Sequence, residues 1–548
     1  MSVNDSTVPR KKVAIVGSGS AGIAALWALN RTHHDVYLYE AAARLGGHTN
    51  TVSFKNGKYT TQVDTGFIVM NAETYPNFLA FLNKVGVATA PTLMTFGLSR
   101  DHGLFEWAGS SLATIFCQPK NLFSWRMWRM IFDVVRFNQF ALDLLREANA
   151  AATVKSKGSA NGSAKGKANG RVATSSEFLV GTFGPEETIG QYLEREGYSD
   201  AFRDDYLIPM TAAVWSTSPD KCALEFPAVT LVRFLWNHHL LSTVAKRPDW
   251  LTIPDGSKSY IDAVMKGFPS NHLFLNTPVR SLTNDADGKV RLHLNGGQSH
   301  VYDHVVLATH GDQAYSIIKE SATDEEHDIM SSFQTSKNVA VLHSDQSLMP
   351  ANRKAWSAWN YMTVSAPEQG KRNIDKVSLT YNMNSLQHIP REHFGNVLVT
   401  LNPLHEPDPA TVQGRFEYAH PLFTPSAVRA QELLHHIQNR RNISYAGAWT
   451  KYGFHEDGFS SGLKVAVEHL GAKLPIKFKD STYSRGQQPK LGMGDLVVRV
   501  SVLAVQVVVI DTLRGISRMW SRRPAGGRRS NSGAAARRRN VVKTCKVI

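Results

Sequence analysis

The chain has 548 residues, 42% hydrophobic and 20% charged, so it can form several ordinary domains with substantial cores, and disorder can only be local. A net charge of +15 would suit a nucleic-acid partner, but segments 148–176 and 514–548 carry sixteen Lys and Arg with no acid. The remainder is close to neutral, which removes the main support for nucleic-acid binding.

Three cysteines, Cys117, Cys222 and Cys545, are far apart and odd in number. They give neither a disulfide framework nor a CxxC pair and point to a reducing, intracellular setting. The polar opening MSVNDSTVPRKK leads into only a short apolar run, so no secretory signal is expected and the protein is placed on the cytoplasmic side.

Lys11 to Gly17 predicts a buried strand, Ser20 to Thr32 a helix with Ile23, Leu26 and Trp27 on its apolar face, and Asp35 to Glu40 a second strand. This is a βαβ unit. Between its first strand and helix stands Gly17-Ser18-Gly19-Ser20-Ala21-Gly22. The first glycine permits a tight turn, the second lets the backbone approach a pyrophosphate, and the third lets helix pack on strand. The helix start offers free N–H groups and partial positive charge to phosphates, so Gly17, Ser18, Gly19, Ala21 and Gly22 form the first candidate set. Glu40 stands where an acid accepts hydrogen bonds from the ribose of a dinucleotide. To this point NAD and FAD are both open.

Just beyond lies EAAARLGGHTNT, with Arg44, Gly46 and Gly47. An arginine there can neutralise pyrophosphate charge, and paired glycines let backbone N–H groups close on a diphosphate or ribityl chain. With its RxGG stretch, the sequence resembles the flavin-containing amine oxidase superfamily, which includes carotenoid desaturases and protoporphyrinogen oxidases. The resemblance implies an extended FAD with its adenine at the first βαβ unit. VDTGFIV (Val63 to Val69) resembles the segment that passes the flavin and adds Gly66. WLTIPDGSKSYIDAV (Trp250 to Val264) resembles the turn that returns to the cofactor domain, with Asp255 in place of its first glycine. LNTPVRSL resembles the strand whose Val279 contacts the adenine side through its backbone.

The segment 148–176, rich in Ala, Gly, Ser and Lys, predicts a disordered surface insertion between two helical regions. Strands are predicted at Leu273 to Asn276, Val290 to Leu294 and Asp303 to His310, and the stretch from Asn338 to Leu401 is rich in strand signals. Late in the chain, GAWTKYGFHEDGFSSG (Gly447 to Gly462) reads as a glycine-studded loop opening a helix. In the superfamily such a segment aims a helix N-terminus at the flavin ring, which implies that Gly447, Asp457 and Gly458 lie near the ribityl chain and ring. The residues alone also allow an ordinary cap on a surface helix.

IPMTAAVWS, WSAWNYM and TYNMNSLQ narrow the resemblance to a branch described as predicted NAD/FAD-binding amine-oxidase-like proteins. Genes of that branch accompany cyclopropane-fatty-acid-synthase-like methyltransferases, which hints at lipid substrates. The resemblance spans about Lys11 to Lys473, the insertion excepted. It implies an α/β protein with a discontinuous, Rossmann-like FAD-binding domain of the amine oxidase and GDP-dissociation-inhibitor type, from residues 11–75, 245–312 and 436–475. An α+β substrate domain would come from 76–244 and 313–435.

No catalytic acid or base is assigned. His455 adjoins the flavin loop but also suits capping or packing, and Trp215, Trp356, Trp359, Trp449 and Tyr452 are candidate site walls that equally suit a core. Superfamily members that attach flavin covalently use a cysteine shortly before the late glycine motif; none lies between Cys222 and Cys545, so FAD is expected to be non-covalent. Adjacent histidine pairs point to different faces and no HExxH is present, so no metal is expected.

Residues 494–520 are the most apolar, but Arg499 and Gln506 interrupt a span that is short for a membrane crossing. The pattern suits a membrane-interface helix or one packed on the body, followed by a basic disordered tail, 521–548. The final CKVI has the form of a prenylation signal with weak choices at two positions, which leaves modification of Cys545 open. The expected activity is FAD-dependent oxidation or desaturation, with hydride passing from an amine or an apolar, possibly lipid, substrate to flavin N5. The alternatives are a non-catalytic relative of the GDP-dissociation inhibitors and an NAD-dependent oxidoreductase; the RxGG stretch and the late glycine segment weigh against both.

Overall fold

The run Lys12-Val-Ala-Ile-Val16 is apolar because it is central: this strand, β1, is buried between neighbours on both edges. The computed structural model describes residues 9–149, 187–215, 224–241, 248–365, 374–486 and 488–512. All but the first two residues of the lysine- and glycine-rich insertion lie outside the described residues, as do the basic tail and CKVI.

After β1 come α1 (Ser20–Leu29) and β2 (Asp35–Tyr39), which pairs parallel to β1 with Val13 opposite Val36. Three later strands complete a five-stranded parallel sheet: β3 (Leu273–Phe274), β4 (His304–Leu307) and β5 (Ile443–Tyr445), in the spatial order β3-β2-β1-β4-β5. An all-parallel sheet needs both faces covered. On one face, α1 and α2 (His455–Glu468) pack with the helix Pro76–Val85 in a core that includes Trp27, Phe78, Phe81 and Phe459. On the other, the antiparallel sheet spanning Val279–Tyr302 and the helix Pro425–Ile437 close a second core.

Helix α1, SAGIAALWAL, buries nine of its ten residues, which explains why it is apolar all round. Its partner α2 crosses it closely because small residues face each other. A methyl group on Gly462 would lie 2.0 Å from the Ala21 carbonyl oxygen, and one on Gly458 would lie 2.2 Å from Ser20 Oγ.

The strand-rich region forms part of a seven-stranded sheet in the spatial order 414–421, 335–343, 398–401, 374–382, 359–365, 96–100 and 105–108. Its pairings are antiparallel except that Trp359–Ser365 runs parallel to Phe96–Arg100. Its core holds Tyr361, Leu379 and Val399 together with Met127 and Met130 of the helix Trp125–Phe140. All of this belongs to one compact unit, residues 1–490. The described residues from Leu491 on belong to a second, in which α3 (Met493–Val505) runs on into a wider helical turn, Gln506–Asp511.

Candidate active site

The glycine loop leaves the carboxyl end of β1 and turns into α1. Gly17 adopts φ +100° and donates its N–H to the Tyr39 carbonyl at 2.8 Å, which ties the turn to the end of β2. A methyl group on Gly22 would overlap the Gly17 carbonyl, so the third glycine lets the helix start this close to the turn. Gly19, the N-cap, supplies no capping side chain, and a methyl group built on it would meet no atom of the described residues within 4 Å.

Beside this loop runs a cavity of about 700 Å³. Gly17, Ser18, Gly19, Ala21, Glu40, Gly46, Gly47, Gly66, Val279 and Gly447 all line it. Glu40, just past β2, accepts hydrogen bonds from Ser18 N at 3.0 Å and Ser18 Oγ at 2.5 Å through Oε2, and from Ala42 N at 2.9 Å through Oε1. Val279 and Arg280 mark the same end of the cavity, while Gly447, Ala448 and Trp449 contribute from the late segment.

Four expected contact residues are placed elsewhere. Gly22 is behind the turn, and Arg44 is exposed, its guanidinium donating to the carbonyls of Leu45, Gly47 and Thr49 at 3.3, 2.8 and 3.4 Å. Arg44 thus shapes the RxGG loop by collecting its carbonyl oxygens. Asp457 accepts from Phe454 N at 3.0 Å and so caps α2, while Gly458 faces α1. The cavity instead meets the residues just before the cap: Gly453, Phe454 and His455.

The cavity is also walled by Met94, Phe234, Trp250, Trp359, Tyr381 and Phe454. Trp359 and Tyr381 meet edge to face, with centroids 5.0 Å apart. Of the five aromatic residues named from the sequence, Trp359 and Trp449 reach the cavity. Trp215 and Trp356 instead donate to the backbone carbonyls of Tyr452 and Pro350.

A histidine cluster also lines the cavity. His48, directly after Gly47, stacks on Tyr418 at 4.9 Å and lies 4.9 Å from His420 and 5.8 Å from His310. His420 Nδ1 faces the Asn338 amide nitrogen at 2.8 Å, and the Asn338 oxygen in turn accepts from Asn402 at 2.6 Å. That network makes Nδ1 the acceptor and leaves Nε2 as the proton-bearing nitrogen. His455 stacks on Phe67 at 3.8 Å and is 3.1 Å from the Tyr260 hydroxyl.

Burial lowers every histidine of the cavity wall: His48 well below its usual value, His310 downward, His238 to about 4, and His420 and His455 to about 3. Each is therefore neutral at physiological pH. Among the described residues that line the cavity, the formally charged ones are Glu40 and Arg280.

Of these histidines the sequence singles out His455, for its place beside the late loop, and His238 only as one of an adjacent pair. His48 and His310 carried signals, since one follows the paired glycines and the other follows a parallel strand whose carboxyl end faces a crevice. His420 carried none, because it arrives from the other sheet.

The residues fit an extended dinucleotide. The uncapped start of α1 and the open side of Gly19 suit a diphosphate, and Glu40 suits ribose hydroxyls. His48 Nε2 is buried at the cavity wall with no hydrogen-bond partner among the described residues, the condition of a group awaiting a polar ligand. Among the described residues, no group of three or more His, Cys, Asp or Glu is arranged to hold a metal ion.

Known proteins agree with this layout. The sequence model of the flavin containing amine oxidoreductases matches residues 20–470. A search of curated proteins found no sequence match. Among solved structures, a CLA-producing fatty acid isomerase from P. acnes aligns over 83% of this chain and 98% of its own at 16% identity, TM-score 0.53. Cyclohexylamine oxidase from Brevibacterium oxydans IH-35A covers 84% and 98% at 14% identity, TM-score 0.53. A putative protoporphyrinogen oxidase from Exiguobacterium sp. 255-15 covers 84% and 98% at 15%, TM-score 0.52. At such identities the likeness is one of fold.

Proposed function

The chain belongs to the flavin-containing amine oxidoreductases, and from the cavity just described we propose that it binds FAD non-covalently and oxidises or desaturates a substrate whose reacting end is uncharged. The observation that carries this reading is the charge of the cavity lining: among the described residues its formally charged members are Glu40, beside the glycine loop, and Arg280, and the remainder is apolar, aromatic or uncharged, the buried histidines included.

Bound flavin supplies a two-electron acceptor that takes a hydride at N5. The protein's part is to hold, orient and keep dry. The α1 start and Glu40 hold the diphosphate and ribose, and Trp359 and Tyr381 wall the substrate end. His420, fixed by Asn338, presents an Nε2 hydrogen at the cavity wall as a hydrogen-bond donor. A substrate carrying a permanent charge would lose its hydration here without gaining a counter-ion, so the site favours a hydrocarbon or lipid chain over an ammonium ion. The shared fold of a fatty acid isomerase is compatible with an acyl chain, and so is the resemblance to proteins encoded beside cyclopropane-fatty-acid-synthase-like methyltransferases. Non-covalent attachment is supported by the absence of cysteine between Cys222 and Cys545.

The test is spectroscopic. The purified protein should be yellow, release its flavin to the supernatant on acid denaturation, and bleach anaerobically with unsaturated or saturated acyl lipids faster than with primary amines. A colourless protein that takes up no FAD would refute flavin binding; flavin that stays with the precipitate would refute non-covalent attachment; and faster bleaching by amines would refute the substrate preference.

A further inference from the structure

The helical stretch Met493–Ile510 has 18 residues and a mean hydropathy of 2.0, and 11% of it is buried. Val497, Val500, Val507 and Val508 are 63 to 69% exposed, and Leu496 and Leu503 are about half exposed. At 100° per residue over Met493–Val505, Leu496, Val497, Val500 and Leu503 span an arc of about 120°, whereas Asp495 and Arg499 fall within about 40° of one another outside it, and Val507 and Val508 extend the exposed aliphatic surface into the wider turn. A soluble protein does not leave that much contiguous aliphatic surface in water without a partner.

Length and charge identify the partner. Eighteen helical residues rise about 27 Å, comparable to the roughly 30 Å hydrocarbon core of a bilayer. Beyond it, residues 514–548 hold eleven Lys and Arg and no acid, which suits the anionic headgroups of a lipid surface. A second copy of this chain would gain from the valines but would bring its own eleven cations against the first set.

We propose that Met493–Ile510 is a lipid anchor: its valine and leucine arc enters the hydrocarbon of a bilayer, and the basic residues after it pair with anionic headgroups. The anchor holds the enzyme at the phase in which apolar substrates are dissolved.

The test uses the full-length protein with its flavin. It is floated with vesicles of phosphatidylcholine alone or mixed with phosphatidylserine, then washed with high salt and with alkaline carbonate. The expected result is flotation with both compositions, stronger with phosphatidylserine, and retention through both washes. Val500→Asp combined with Val507→Asp should lower the floated fraction at least about tenfold while leaving the flavin spectrum unchanged. A second variant, with Arg537, Arg538 and Arg539 changed to Gln, should lose the preference for phosphatidylserine and keep the rest.

Three outcomes overturn the proposal. In one, the protein floats only with anionic vesicles and salt releases it, which assigns binding to the basic tail alone. In another, flotation survives the double aspartate variant. In the third, no vesicle is bound and the double variant instead converts a dimer to a monomer, which makes the arc an interface between copies.

Discussion

Replacing Gly462 by alanine would place a methyl carbon 2.0 Å from the Ala21 carbonyl oxygen and 2.9 Å from the Ala21 carbonyl carbon. Both atoms belong to the backbone of α1, so no side-chain rotation relieves the overlap, and the helices must part by about 1 Å to restore an ordinary contact. Overpacking of this kind costs up to about 3 kcal/mol, and the better helix propensity of alanine returns about 1, leaving a net loss of about 2 kcal/mol. The displacement also moves the start of α1 away from the diphosphate position, and weakening one charge-assisted hydrogen bond there should raise the FAD dissociation constant roughly tenfold or more.

Gly458→Ala is the control, because its methyl would meet Ser20 Oγ at 2.2 Å, the end of a hydroxyl that can turn aside. It should cost little stability. Flavin fluorescence titration gives the affinity, and urea unfolding followed by tryptophan fluorescence gives the stability. If the two variants behave alike, or if Gly462→Ala binds FAD like the parent, the close crossing does not position the phosphate loop.

Glu40→Ala removes the acceptor of Ser18 N and Oγ together with the candidate ribose contact, and should weaken FAD binding by about 10- to 100-fold in the same titration. Trp359→Ala should leave FAD affinity within about threefold of the parent and raise the apparent dissociation constant for an apolar substrate about tenfold or more, read from the substrate dependence of the anaerobic bleaching rate. Glu456, buried with its carboxylate accepting from Asn77, Phe78 and Ser460, is pushed from its usual 4.5 to about 7 by burial. Its protonated form is the one the fold favours, so that contribution is complete below 4.5 and is lost as pH rises through about 7. The stability advantage of Glu456→Gln over the parent, measured by urea unfolding, should therefore grow from about pH 5 to about pH 8, toward a ceiling of about 3 kcal/mol. A difference that is flat with pH would show that Glu456 does not titrate in this range.

The first βαβ unit was legible because its signals are local: an apolar strand, glycines at the turn and an acid at the next strand end fall within thirty residues. The late segment was legible as a partner of that unit, yet its individual roles were not. Asp457 and Gly458 look like ligand contacts in a glycine-rich string, but α2 starts at His455, which turns Asp457 back to its own N-terminus and Gly458 toward α1. Arg44 illustrates the same limit, since a guanidinium can neutralise a phosphate or collect loop carbonyls and the sequence does not choose.

The cluster of His48, His310 and His420 joins positions that only the folded sheets bring together. Asp64 is similar: in VDTGF it seems incidental, yet it accepts from Ser257 N and Oγ and from Gln387, and fastens that segment to the turn after Trp250. Asp255, the departure from the superfamily's glycine in that turn, is exposed, which is why the substitution is tolerated. For Met493–Ile510 the sequence already sets Arg499 and Gln506 on one side of a helix and leaves open whether the apolar side meets a membrane or the body; the structure adds the helix itself and the exposure of its valines.

The parallel sheet also has a consequence for synthesis. Strand β5, Ile443–Tyr445, closes the edge of β4, whose own residues end at Leu307, and α2 follows it. A ribosome must therefore add well over a hundred residues during which the β4 edge has no native neighbour and α1 lacks its partner helix. An unpaired edge of that kind is a template for wrong pairings, and contacts this distant in sequence form slowly. Cofactor capture is thus an event of the completed chain, and any product terminated before about residue 470 would carry the nucleotide fingerprint at its start without the helix that braces it.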